Sequence, residues 1–174
     1  MRYVLGIDPA YSTTGYAVLD YDTEELIEAG KYITSSKLDT DERSMAIIKF
    51  LLHITDKYGI KEVMLEDGFA GKNPKTGQML AMLRGGIICV MLYQGKRVYH
   101  MLPSQIRNVL GIGGNAKKEE VAEKVTEIYS DTLKILDIGP YSDKQNADKT
   151  SDIYDAISIG YCYIKHNKTI SNVL

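Results

Sequence analysis

Residues 3–20 read YVLGIDPAYSTTGYAVLD, two apolar runs that are joined by a short polar turn. This pattern predicts strands at 3–9 and 14–22 that pair as an antiparallel hairpin. A further apolar run at 25–34 predicts a third strand, so the three strands should form an antiparallel meander. The first strand ends in a carboxylate, Asp8. An aspartate in such a turn is often held by backbone amides, and that interpretation of Asp8 alone stays open.

The remainder of the chain alternates between helical and strand patterns. A strand at 62–66 follows a helix, which favours a parallel crossover connection. The other predicted elements are helix 43–58, helix 78–94, strand 97–102, a helix from Pro103, helix 117–136 and a last helix with Ser151 as its N-cap. The segment 137–150 is predicted to be a polar connector. We therefore predict an α/β fold in one domain, 1–174, with a five-stranded mixed sheet flanked by helices.

Helix 78–94 is apolar on nearly every side, which predicts burial on several faces and a subunit interface. Its uninterrupted apolar run, 85–93, is too short to span a bilayer, so no membrane association is expected. Cys89 and Cys162 lie in apolar runs without metal-binding spacing and are predicted to be reduced core thiols. These features favour a cytoplasmic protein.

Charge is unevenly distributed along the chain. The net charge is −2, yet residues 72–118 hold eight of the 21 basic residues and none of the 23 acids. A solvated chance run is the plain interpretation, and an anionic partner is the alternative.

Three further acids stand in apolar contexts. Glu66 ends the strand EVMLE, and Asp152 and Asp155 share one helix face in DIYDAISIG. Taken singly, they are explained by a strand terminus and by favourable charge at a helix start. Taken with Asp8, crowded carboxylates would repel each other unless a cation balanced them. Oxygen ligands suit Mg²⁺ or Mn²⁺, and two such ions suit phosphodiester hydrolysis.

The chain resembles the RuvC-type Holliday-junction resolvases of the ribonuclease H-like superfamily. The motifs occur in family order as GIDPAYSTTGYAVL, LEDGFAGKNP, MLRGG, PSQIRNVLGIGGNAKKEEV and DIYDAISIG. The resemblance implies a structure-selective endodeoxyribonuclease that resolves four-way DNA junctions as a homodimer with Mg²⁺ or Mn²⁺, two ions per site. Ala10 stands where the family usually has glycine. Compact, divergent members occur in phages, so the expected setting is a bacterial cytoplasm or a phage-infected cell.

Site residues follow from the resemblance by position. The implied catalytic and metal-binding acids are Asp8, Glu66, Asp152 and Asp155. Phe69 matches the aromatic that inserts at the junction, although it could instead pack back on the core. Arg107 and Lys118 fall near the scissile phosphate, and Lys72 and Lys117 are expected to contact the DNA backbone.

Other functions stay open at this point. They are a broad debranching nuclease and a catalytically silent junction-binding protein. A kinase-like or ATPase fold is disfavoured, because 174 residues leave no room for a second phosphate loop. Branch-migration proteins would be further partners of a resolvase, but no residue pattern points to them.

Overall fold

The computed structural model describes residues 1–68, 73–139, 141 and 144–171, with the backbone alone at 144–149 and 171. The described elements are, in chain order, β1 Tyr3–Asp8, β2 Thr13–Asp20, β3 Leu26–Ile33, α1 Thr40–Lys57, β4 Glu62–Glu66, α2 Pro74–Tyr93, β5 Arg97–Met101, α3 Pro103–Val109, α4 Lys118–Ile135 and α5 Lys144–Ser171. The sheet has the order β3-β2-β1-β4-β5. Strands β1, β2 and β3 pair antiparallel, and β4 and β5 extend the sheet in parallel with β1. The predicted five-stranded mixed sheet is confirmed.

Helices cover both faces of this sheet. Successive side chains of a strand point to opposite faces. Val4 therefore packs with α3, α4 and α5, whereas Leu5 packs with α1 and α2. The two central strands are apolar on both sides because each side meets a helical layer.

The helix α5 lies directly against β1. A Cβ atom added at Gly6 would stand 2.3 Å from the carbonyl oxygen of Ala156, and one added at Gly160 would stand 2.4 Å from Leu19 Cδ1. Two glycines at this crossing thus let helix and strand backbones approach closely. This contact fixes the position of α5 over the centre of the sheet.

Three helices start earlier than predicted. α1 starts at Thr40 because Asp39 and Glu42 form a reciprocal capping box. α2 starts at Pro74 because the side chain of Asn73 accepts a hydrogen bond from the Lys75 amide at 3.0 Å. These caps outweigh the polar composition that favoured loops.

The start of α5 differs most from the prediction. It begins at Lys144, so Ser151 lies inside the helix and is not its N-cap. The second half of the predicted connector 137–150 is therefore helical. Residues 144–150 contain no glycine or proline, so nothing in them interrupts a helix. Asp152 consequently lies beyond the first turn, where favourable charge at a helix start no longer explains it.

The helix α2 buries one face and exposes another. Leu83, Ile87 and Met91 are in the core, whereas Met82 and the Cys89 side of the helix are exposed. The prediction of a core thiol at Cys89 is wrong, and the predicted burial of further sides of α2 at a subunit interface stays a prediction. Apolar periodicity cannot separate a core face from an outward face when both are apolar.

By length and composition alone, α2 is long and apolar enough to cross a membrane, alone among the helices of the described residues. The uninterrupted run 85–93 understated this property, because the helix extends back to Pro74.

Candidate active site

Two of the four acids end neighbouring parallel strands. Asp8 is the last residue of β1, and Glu66 is the last residue of β4. The strands are in register with Ile7 opposite Leu65, so their carboxyl ends lie at one edge of the sheet. The sheet therefore places both carboxylates side by side.

The other two acids reach this edge on α5. Gly15 pairs with Asp8 across the hairpin, and a Cβ atom at Gly15 would stand only 1.9 Å from the carbonyl oxygen of Asp152. The missing side chain lets α5 approach at this point. One helical turn on, Asp155 lines a small cleft together with Glu66. The four predicted acids are thus brought to one edge of the sheet.

The charges of these acids oppose one another. Burial, with the negative charges of Asp155 and Glu66, raises the pKa of Asp8 to about 8. Burial and the charge of Asp155 raise the pKa of Glu66, and burial also raises the pKa of Asp152. The basic residues of the protein therefore do not balance the negative charge of the four acids. A divalent cation would balance it.

Lys118 supplies part of the missing charge. Its Nζ atom lies 2.6 Å from Oδ2 of Asp155, although 55% of the lysine side chain is exposed. Burial works against the charged lysine, but Asp155 outweighs it and the pKa of Lys118 is raised. The positive charge of the ammonium group also offsets part of the rise in the pKa values of Asp8 and Glu66. Lys118 thus lies beside the acids, and its role at the scissile phosphate stays a prediction.

Across the residues that the structure describes, no three His, Cys, Asp or Glu side chains converge tightly enough to hold a metal ion as placed. The lysine ammonium stands against Asp155, and the mutual effects on the pKa values show that the acids are neighbours at longer range. The donor set is made of carboxylate oxygens, which fit Mg²⁺ or Mn²⁺ chemically. Binding such an ion requires the acids to close around it.

The structure describes two of the four remaining residues that were predicted to contact DNA. Arg107, on α3, lines the cleft with Glu66 and Asp155, and its Nε atom is buried without a hydrogen-bond partner. Lys117 is exposed at the N-cap position of α4. Phe69 and Lys72 lie outside the described residues, so the predictions for them stay predictions.

The family is decided by sequence comparison. The profile of the family described as "Crossover junction endodeoxyribonuclease RuvC" matches residues 4–163. The chain belongs to the RuvC family. The predicted resemblance is therefore confirmed, and it spans nearly the whole chain.

Named relatives agree with this assignment. The crossover junction endodeoxyribonuclease RuvC of Finegoldia magna is 32% identical over 167 residues, which cover 95% of this chain and 94% of that protein. The RuvC of Helicobacter acinonychis is 31% identical over 168 residues, which cover 95% of this chain and 98% of that protein.

Solved structures share the fold. Thermus thermophilus RuvC matches with a TM-score of 0.76 at 22% identity, covering 96% of each chain. T. thermophilus RuvC in complex with Holliday junction substrate matches with a TM-score of 0.75 at 20% identity, covering 97% of this chain and 96% of that one. At these identities the structural match supports the fold alone.

The basic residues of the acid-free range 72–118 do not form one surface. Arg97 pairs with the buried Glu62, which Arg2 also contacts, and Lys96 lies 3.7 Å from Asp56. These contacts lie at the amino-terminal end of β5, roughly 13 Å from the carboxyl end. Lys96 and Arg97 therefore lie away from the four acids, and they are not among the residues predicted to contact DNA.

Two basic residues near the acids had no predicted role. The charge of Arg84, on α2, offsets part of the rise in the pKa of Glu66, and the charge of Lys31, on β3, offsets part of the rise in the pKa of Asp152. Arg84 stands in the RuvC family motif MLRGG, which is a usable sequence signal. Lys31 has none, because it reaches the site only through its pairing with Gly15 on β2.

Proposed function

We propose that this RuvC family nuclease resolves four-way DNA junctions by paired, metal-dependent nicks, acting as a homodimer. The observation that carries the proposal is the convergence of Asp8, Glu66, Asp152 and Asp155 at one sheet edge, where burial and mutual repulsion raise the pKa values of three of them. Crowded, partly buried carboxylates repel one another, and a bound divalent cation would relieve this repulsion. The family supplies the reaction, and the site supplies the residues for it.

Each residue has a distinct task in this proposal. The four acids hold one or two Mg²⁺ or Mn²⁺ ions, which when bound supply a Lewis acid for phosphodiester hydrolysis. The strand ends hold Asp8 and Glu66 in place, since backbone pairing restrains both. Lys118 and Arg107 lie beside the acids and would hold the scissile phosphate there.

The substrate class is supported by the relatives. Those aligned over nearly the full chain are named crossover junction endodeoxyribonucleases, and the T. thermophilus RuvC structure contains a Holliday junction substrate. We infer the same substrate here. The exposed Lys117 lies next to Lys118 and would contact the DNA backbone, and Phe69 would stack on unpaired bases at the junction centre.

Synthetic branched DNA tests this function. A four-way junction is incubated with Mg²⁺ or Mn²⁺ beside flaps, forks, plain duplex and an RNA–DNA hybrid. We expect symmetric paired nicks with religatable ends on the four-way junction and at least tenfold slower cleavage of plain duplex. Equal cutting of every branched form would establish a debranching nuclease instead. Junction binding without cleavage in either metal would make the protein a silent junction binder.

The exposed face of α2 supports the homodimer. Three large apolar side chains of α2 are exposed to 60%, 54% and 89%, namely Met82, Leu92 and Tyr93. The core-facing side of the same helix carries Leu83, Ile87 and Met91. Large apolar side chains exposed on one helix are typical of a protein contact. In a two-fold dimer the same face of each copy would meet its equivalent, which suits paired nicks on a symmetric substrate.

Met82→Glu is expected to convert the dimer to a monomer, because two carboxylates would be buried at a self-complementary contact. Sedimentation analysis measures the mass, and a cruciform plasmid assay separates paired cleavage from single nicks. Met45→Glu is the matched control, since Met45 is exposed to a similar degree, 53%, on α1. A Met82→Glu protein that stays dimeric would rule out this face.

A further inference from the structure

Arg84 connects α2 to the segment that follows β4. Its Nη1 atom donates a hydrogen bond to the carbonyl oxygen of Gly68 at 3.2 Å. Its Nε atom is buried and has no hydrogen-bond partner. The guanidinium group therefore contacts the backbone two residues beyond Glu66.

Gly68 accommodates this guanidinium group by having no side chain. A Cβ atom at position 68 would stand 1.3 Å from Nη2 and 2.1 Å from Cζ of Arg84. The φ angle of Gly68 lies outside the left-handed region, so its backbone conformation is open to other residues. An added side chain here would therefore displace the guanidinium group of Arg84, and it would not strain the backbone.

The charge of Arg84 acts on the site. Its charge offsets part of the rise in the pKa of the Glu66 carboxyl group, after the larger offsets from Lys118 and Arg107. Within the described residues, Arg84 forms no ion pair with any carboxylate at contact distance, unlike Arg2 and Arg97 at the other end of β4. Its contribution is therefore to the backbone of the Glu66–Gly68 segment and to the local field.

We propose that Arg84 is a positioning residue that holds the Glu66–Gly68 segment against α2. In this arrangement it fixes the backbone that follows Glu66 and so orients the Glu66 carboxylate for metal binding. The guanidinium fork suits this task because one planar group can reach a carbonyl oxygen and keep its charge near a carboxylate. The catalytic consequence rests on the proposed nuclease function, whereas the structural consequence does not.

A double-mutant cycle tests the contact without reference to activity. Gly68→Ala is expected to lower the Tm of the wild-type background by about 4 °C, because the added methyl group displaces the guanidinium group. In the Arg84→Met background the same substitution is expected to change the Tm by less than about 1 °C, since the obstructing group is gone. Equal decreases in both backgrounds would overturn the contact.

The positioning role has two further readouts. Arg84→Met is expected to weaken Mn²⁺ binding by about tenfold, measured by paramagnetic resonance of the metal-titrated protein, since Glu66 loses its support. It is also expected to lower kcat for junction cleavage by about 100-fold with the junction Kd within about threefold. Gly68→Ala should give similar losses, and the double variant should be no worse than Arg84→Met.

Arg43→Met is the matched control, because Arg43 also donates to a backbone carbonyl, that of Ser35 at 3.0 Å, but lies on α1. It should leave Mn²⁺ binding and cleavage unchanged. Losses that multiply in the double variant, or unchanged Mn²⁺ binding in Arg84→Met, would refute the positioning role. If the wild-type protein cleaves no junction, the proposed function fails while the Tm cycle and the Mn²⁺ titration still decide the role of Arg84.

Discussion

Asp8→Asn is expected to lower junction cleavage by on the order of 10³-fold, a loss of about 4 kcal/mol in transition-state stabilisation. Asp8 ends the central strand and lies among the other three acids. We therefore expect its carboxylate to be a ligand of any cation that these acids bind together. An amide oxygen remains a possible ligand but carries no charge. Junction binding in EDTA or Ca²⁺ should stay within a few-fold of wild type, because phosphate contacts come from basic residues.

The same variant has a separate stability readout. Because the pKa of Asp8 is raised to about 8 in the folded protein, folding takes up a proton between about pH 4 and pH 8. The free energy of unfolding contributed by this group therefore falls as pH rises through that range. In EDTA at pH 7, Asp8→Asn should be more stable than wild type, on the order of 1–3 kcal/mol by urea titration. Near pH 4 the two proteins should be nearly equal.

Asp131→Asn serves as the control, since Asp131 is exposed on α4 and pairs only with Lys134 across one turn. It should leave both cleavage and the pH dependence of stability unchanged. Wild-type nicking by Asp8→Asn would refute the site. If Asp8→Asn were less stable than wild type in EDTA at pH 7, the inference that the negative charge of the acids is not balanced within the protein would be refuted.

Gly15→Ala is expected to cost about 3 kcal/mol of folding stability and at least about 100-fold in cleavage rate. The added Cβ atom would meet the Asp152 carbonyl oxygen at 1.9 Å and its carbonyl carbon at 2.5 Å. Both are backbone atoms of α5, so no side-chain rotation relieves the contact. The helix must move away from the sheet, and Asp152 and Asp155 move with it.

Gly86→Ala is the matched control, because its Cβ atom would stand at an ordinary 3.5 Å from Ile48 Cδ1, within a helix that favours alanine. It should leave stability equal or slightly raised, as measured by urea titration. A Gly15→Ala protein with wild-type stability and activity would show that α5 does not approach β2 as closely as described.

The strand pattern and the four acids were predictable because both are local features. Alternating and continuous apolar runs mark strands wherever they occur, and Asp8 and Glu66 were recognisable as acids that end such runs. The start of α5 was not predictable from polarity, since residues 144–150 combine polar composition with an absence of helix breakers. The outward face of α2 could not be separated from its core face, because both faces are apolar.

The succession of strands and helices, the family and the identity of the four acids can be predicted from local sequence, because periodicity and motif spacing are properties of neighbouring residues. Which charged residues lie near the site depends instead on the three-dimensional fold. Lys118 reaches Asp155 across 37 positions, and Arg84 reaches Gly68 across 16, whereas Arg97 is drawn to Glu62 at the far end of the sheet. Such pairings depend on strand register and on the glycine contacts that seat α5, and these arise from long-range packing that no local pattern records.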